Sequence, residues 1–220
     1  MNYFRIIADR IVTKPSWIGM FIALSIVSVG IMVLSYTART HQTSALLPPT
    51  ATFQEREAAE QVLQDEEITR CAFLPVRLFI GWISFALVLY YTCTAFAPLQ
   101  RTRLKQILSL EVHAEAFLVL GSFVSALSVL FASQQPKEIL TMPLSAAVFI
   151  PAGNGTMHLF LSSINLFQLL YIISLAYGVQ KIAGFGRMKS SFIVLVVWAM
   201  CVFENVAMIT FVQERMHLNL

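Results

Sequence analysis

Charge is what this chain has least of. Asp, Glu, Lys and Arg make up 12% of its 220 residues, about half the ~25% of an ordinary soluble domain. Apolar residues make up 57%, and the mean hydropathy is +0.72. Such a chain would precipitate without lipid, because the bilayer and not an internal core is the solvent for most of its side chains. The formal net charge of +3 is too small to point to nucleic acid, so none is expected as a partner. Cysteine is scarce as well. Cys71, Cys93 and Cys201 offer no even set that could meet in one loop, which argues against a disulfide framework. No Walker A motif, His-Glu-x-x-His or Gly-x-Ser-x-Gly occurs, which removes support for familiar ATPases, zincins and serine hydrolases. The histidines His41, His113, His158 and His217 are scattered. Neither an enzymatic activity nor a metal or cofactor is therefore expected.

What the chain does have is five long apolar stretches, at 17–36, 73–96, 110–132, 157–179 and 191–212. Roughly twenty residues at about 1.5 Å each cross a hydrocarbon core of about 30 Å. The fold class they define is all-α, a multi-pass integral membrane protein with five transmembrane helices. The first stretch is longer than the apolar region of a signal peptide, about 7–15 residues, and no Ala-x-Ala-like site follows Tyr36. A sixth apolar segment, 139–150, is interrupted by Pro143 and closed by Pro151. It is too short to cross, and reads as interfacial or re-entrant.

Loop charge gives direction. Arg5, Arg10 and Lys14 precede the first stretch, Arg101, Arg103 and Lys105 follow the second, and Lys181, Arg187 and Lys189 follow the fourth. By the positive-inside rule these segments face the cytosol, with the N-terminus inside and the C-terminus outside. The alternating loops agree, since Glu55, Glu57, Glu60, Asp65, Glu66 and Glu67 dominate the first of them. The chain divides accordingly into a cytosolic interfacial helix at 1–16, an extracytosolic loop at 37–72, a basic cytosolic loop at 97–109, an extracytosolic loop at 133–156, a second basic loop at 180–190 and a tail at 213–220. Phe4, Ile7 and Ile11 fall at helical spacing in the first of these segments, as an amphipathic helix would have them. In the first outer loop Thr52-Phe53-Gln54-Glu55 has the capping-box pattern, so a charged helix over 52–70 is expected to feed the second span through Pro75. Asn154-Gly155-Thr156 fits a glycosylation acceptor, but its glycines are explained as well by a turn returning the chain to the membrane.

Chemistry would show as polar groups inside the spans, where an ionisable side chain costs about 2.5–3.5 kcal/mol on insertion scales and needs a partner. Asn165 and Gln168 in the fourth span, and Glu204 and Asn205 in the fifth, lie at similar depth and are expected to meet. Arg77 in the second span is the candidate counter-charge of Glu204. Glu111 and Glu115 share a helix face at the start of the third span, with His113 turned away. They are expected to meet the basic cluster Arg101, Arg103 and Lys105, the alternative being a carboxylate pair at a cytosolic vestibule. Gly121, Ser122, Ser125, Ala126 and Ser128 form a run of small residues suited to close helix packing.

One resemblance is visible. The run from Arg103 to Leu110 leading to His113-Ala114, then Asn165-Leu166-Phe167, Leu175-Ala176-Tyr177-Gly178 and Lys189, resembles the Yip (Ypt-interacting-protein) family over roughly 89–212. Pro15-Ser16 before the first span is also in keeping with it. Leu170 stands where that family often has Trp, and His113 where it often has Tyr. The resemblance implies five helices with a cytosolic N-terminus. With only about sixteen residues before the first span, the chain is similar to the bacterial branch, some members of which resemble accessory subunits of ABC exporters. The expected function is thus a non-enzymatic scaffold or accessory subunit in a bacterial cytoplasmic membrane. It would associate with another membrane protein, such as an ABC exporter, or with copies of itself, through the basic cytosolic residues Arg101, Arg103, Lys105, Lys181, Arg187 and Lys189. The alternative is a transport or lipid-handling subunit whose fourth and fifth spans form a polar intramembrane cavity.

Overall fold

The structure is a computed structural model that describes residues 11, 13, 15–46, 53–96, 102–131, 145, 160–161 and 164–217. Among the described residues five long helices follow one another: α1 (Ile18–Leu46), α2 (Phe53–Phe96), α3 (Leu104–Phe131), α4 (Leu166–Ala183) and α5 (Arg187–His217). Each contains a segment long and apolar enough to cross a membrane, namely Ile18–Tyr36, Ile68–Phe96, Leu104–Ser128, Leu166–Ala183 and Arg187–Met208. The chain is a multi-pass membrane protein.

Helix is what these sequences must form at membrane depth, since each backbone N–H and C=O has to be satisfied within its own segment. α2 is a single helix of 44 residues that runs through Pro75. At about 1.5 Å per residue it is about 66 Å long, twice the hydrocarbon thickness of about 30 Å. Its charged first half therefore projects beyond the membrane, continuous with the apolar half.

α3 is the central element, packing against α1, α2 and α4, while α5 closes the bundle against α4 and α2. Two glycines set the closest approach of α3 to α4. A Cβ on Gly121 would lie 2.8 Å from Cγ of Phe167, and one on Gly178 would overlap the side chain of Leu110. This is the small-residue packing expected of the third span. Gly121 contributes to it directly, whereas Ser122 is exposed and bonds back to the carbonyl of Leu118 at 3.0 Å.

The core has two parts. One gathers Phe85, Leu89, Cys93, Ile107, Leu110, Tyr171, Leu175, Val179, Ile193, Val194 and Val197 from α2 to α5. The other joins Leu24 and Ile31 of α1 to Trp82, Val112, Val119 and Ala126, and it is edged by rings of Trp17, Phe21, Phe79 and Trp82 with centroids 5.3–6.2 Å apart.

Several boundaries differ from the sequence expectation. α3 begins at Leu104 and not at 110, because Ile107, Leu108 and Leu110 are apolar and the helix needs no break before them. α4 begins at Leu166 and not at 157. Asn165 has extended backbone angles (φ −134°, ψ 168°), and its side chain accepts the backbone N–H of Gln168 at 2.9 Å. That is the geometry of a helix N-cap. At the other end Gly184, at φ 63°, takes the left-handed conformation that ends α4 and lets α5 turn back at Arg187. Ile11, assigned from sequence to a helix lying on the membrane surface, is only 2% exposed and belongs to the core cluster. The Ser109 hydroxyl donates to the carbonyl of Ser16 at 3.5 Å, tying the entry of α1 to α3. The remainder of the surface helix, Asn154-Gly155-Thr156 and most of 139–150 lie outside the described residues. From that last segment Ser145 pairs with Asn165 in an isolated antiparallel bridge.

Candidate functional site

A cavity of about 370 Å³ lies among α2, α3, α4 and α5. Its floor is made by α3 and α4. Glu111 sits two turns into α3, about 10 Å along the helix, and Glu115 one turn further, at about 16 Å. Both line the cavity, with Leu118 above them. α4 supplies Tyr171 and Gln168, α2 supplies Trp82, Ser84 and Phe85, and α5 supplies Trp198, Cys201, Glu204 and Asn205.

Glu111 is 2% exposed. Its Oε1 accepts the Tyr171 hydroxyl at 2.7 Å, while Oε2 is buried with no hydrogen-bond partner. Tyr171 is itself buried, its ring held edge-on to that of Phe85 with centroids 6.0 Å apart. Trp82 and Glu115 stand on the same wall. Trp198 also has a buried indole nitrogen without a partner. Two residues of the wall thus each carry a buried polar atom without a partner, one an acceptor and one a donor.

Charge on the wall has one sign. Among the described residues, Glu111, Glu115 and Glu204 are its acidic members, and no Lys, Arg or His lines it. The titratable groups facing Glu111 are Glu115 on its own helix, Tyr171 on α4, and Cys201 and Glu204 on α5, whereas α2 brings only neutral side chains and α1 none. A carboxyl group so placed, buried and with no basic residue beside it among the described residues, is accommodated by carrying its proton or by holding a cation from outside.

The mouth lies on the flank of the bundle. Gly81, Ser84 and Val88 of α2 and Glu204, Asn205 and Met208 of α5 are exposed, whereas Glu111 and Tyr171 behind them are buried. All of these residues fall within the apolar spans, Met208 at the end of its own, so the opening lies on the lateral, span-forming flank of the bundle.

Of the residues singled out from sequence, Gln168, Glu204 and Asn205 do come together on this wall. Asn205 also donates to the carbonyl of Cys201 at 2.8 Å. Asn165 does not join them, because it is consumed as the cap of α4. Arg77 is exposed and stands outside the wall, so it is not the counter-charge of the cavity. Glu111 and Glu115 do not turn to the basic loop. Arg103 and Lys105 are exposed at the start of α3, a full turn or more from either carboxylate. The signal for them was present in the sequence: two carboxylates at a spacing of four, preceded by the apolar residues Ile107, Leu108 and Leu110, belong inside a span. Among the other basic residues, Lys189 donates to the carbonyl of Phe96 at 3.1 Å and lies over the rings of Phe185 and Phe96, at 4.6 and 5.5 Å from their centroids. Lys181 and Arg187 are exposed at the same end, and Arg101 lies outside the described residues.

Fold and site together define a five-helix membrane protein with an acidic, aromatic-walled cavity inside the membrane. Compared with family models, curated proteins and solved structures, the chain matches none.

Proposed function

We propose that this protein is a non-enzymatic transport subunit that binds a cation, in exchange for protons, in the cavity among α2 to α5. The observation that carries the reading is Glu111, a buried carboxyl group with one unpaired oxygen, on the wall of a cavity that no basic residue lines among the described residues. Ionisable groups within spans are expensive to insert, at about 2.5–3.5 kcal/mol on insertion scales, and typically mark the path of an ion or substrate. At the same oxygen atoms a proton and an external cation are alternatives. Binding the cation releases the proton, and return of the proton expels the cation. The cytosolic placement of the basic end, the bacterial cytoplasmic membrane and an ABC exporter as neighbour are part of the same proposal, resting on loop charge and on the Yip-like segments. A pure scaffold has no use for the cavity, which is why we favour transport.

The test uses the full chain in liposomes loaded with the pH dye pyranine. Gradients of sodium, potassium and ethidium are imposed one at a time. At least one is expected to drive proton movement faster than in protein-free liposomes, and the double change Glu111→Gln with Glu115→Gln is expected to remove the increment. Proton movement no faster than in protein-free liposomes under all three gradients would overturn the reading.

A further inference from the structure

We infer that the ligand of this cavity is a monovalent organic cation with an apolar, ring-bearing body and no anionic group, which enters from the bilayer between α2 and α5. The inference rests on the transport reading and specifies what is transported.

Charge comes first. With Glu111, Glu115 and Glu204 on the wall and no basic residue opposite among the described residues, a ligand gains from a positive charge and loses from any negative one. A zwitterionic lipid headgroup would bring its phosphate into the same acidic space with no Lys or Arg to receive it, and is therefore disfavoured. A single positive charge suffices, because only one carboxylate oxygen, Oε2 of Glu111, is fully buried and unpaired there.

The body of the ligand follows from the other walls. Trp82, Phe85, Tyr171 and Trp198 present four aromatic side chains to the cavity. Aromatic faces attract cations within about 6 Å, more strongly where water is excluded, and they also bury flat apolar groups. A bare sodium or potassium ion would need an oxygen cage of several ligands, as hard cations do. Of the oxygen-bearing residues on the wall, Ser84, Glu204 and Asn205 are exposed at the mouth, so at depth only Glu111, Glu115, Gln168 and Tyr171 offer oxygens, beside four aromatic side chains. A volume of about 370 Å³ is at the lower end of the range for small-molecule sites, about 300–1,000 Å³, and far exceeds what a bare ion fills.

The route comes from the mouth. Because Gly81, Ser84, Val88 and Met208 border it within the apolar spans and are exposed, the route to the cavity runs through the apolar flank between α2 and α5. An organic cation with a lipophilic body suits that route, and a hydrated inorganic ion does not.

The probe pair is tetraphenylphosphonium and tetraphenylborate, which share a shape and differ in the sign of their charge. Titration calorimetry on the purified full chain, against a detergent-matched blank, should show saturable binding of the phosphonium and none of the borate. Glu111→Gln should weaken phosphonium binding at least about tenfold, as expected when one member of a desolvated charge pair is removed. Arg77→Gln, a charge change outside the wall, should leave it within about twofold, since contacts outside a buried site contribute little. If Glu111→Gln fails to fold, Glu115→Gln and Trp198→Leu carry the same expectation. Equal binding of both probes, or phosphonium binding that none of the folded cavity variants weakens, would overturn the inference. If phosphonium does not bind while sodium or potassium still drives Glu111-dependent proton movement in liposomes, the organic-cation inference fails and the transport reading stands. Loss of both sinks both.

Discussion

The phenol of Tyr171 donates a 2.7 Å hydrogen bond to Oε1 of Glu111, joining α4 to α3 where both side chains are buried. Inter-helix hydrogen bonds within a membrane contribute about 0.6 kcal/mol on average and about 1.7 at most. Tyr171→Phe is therefore expected to lower the unfolding free energy by that order, and Glu111→Leu alone to leave the phenol without its acceptor. Combining the two should restore wild-type stability or exceed it, because a matched apolar pair replaces a buried polar one. A double-mutant cycle on the protein in mixed micelles reads this directly. Strictly additive effects would mean that the two side chains do not interact.

The packing of α3 on α4 makes a sharper prediction. Gly121→Ala and Gly178→Ala each place a methyl group where Phe167 or Leu110 already stands, and overpacking of this kind costs about 1–3 kcal/mol. Gly19→Ala and Gly30→Ala, where a Cβ would meet nothing within 4 Å, should cost nothing measurable. Leu110→Ala introduced with Gly178→Ala should recover part of the loss, since it removes the side chain with which the new methyl group collides. Thermal unfolding of the five variants side by side checks the order.

The number of helices and their membrane class were legible in the sequence because length and hydropathy are local quantities, and α1, α2 and α5 meet the criterion almost as drawn. The start of α4 was not legible. Its position is decided by the Asn165 side chain bonding the backbone N–H of Gln168, a geometry that a hydropathy window averages away. The cavity was half legible. Gln168, Glu204 and Asn205 could be matched by depth alone, but the depth of Glu111 depended on a helix start placed six residues too late, at 110 where α3 begins at 104. Tyr171, Trp82 and Trp198 gave no signal as wall residues, because aromatic side chains in a span are indistinguishable from lipid-facing ones until the packing is known.

The cap itself can be weighed. Asn165→Ala removes the oxygen that accepts the N–H of Gln168, the third residue of α4, and is expected to destabilise by about 1 kcal/mol, within a range of about 0.5–2. Asn165→Asp and Asn165→Ser should retain most of the stability, since both keep a side-chain acceptor. Had Asn165 been an inter-helix amide in mid-span, the aspartate would be the worst of the three. The rank order in a thermal unfolding series therefore separates the two roles.

Lys189 ties the orientation of the chain to its packing. Its ammonium reaches the carbonyl of Phe96 at the end of α2 and lies over Phe185 in the turn between α4 and α5, so the end of α2 and the start of α5 share one end of the bundle. A cation against the last carbonyls of a helix also suits the helix dipole, worth about 0.3–1 kcal/mol, and the aromatic contact adds about 0.5–1 kcal/mol at an exposed site. Lys189→Met should thus cost about 1 kcal/mol, with Lys189→Arg recovering most of it. The same end carries Arg103, Lys105, Lys181 and Arg187, and an excess of Lys and Arg marks the cytosolic face. A reporter fused after Gly184 is expected to score as cytosolic, and one inserted between α1 and α2 as extracytosolic. If the Gly184 fusion scored as extracytosolic, the direction taken from loop charge would be reversed. The cavity would survive that result, since its walls do not depend on which end is in the cytosol.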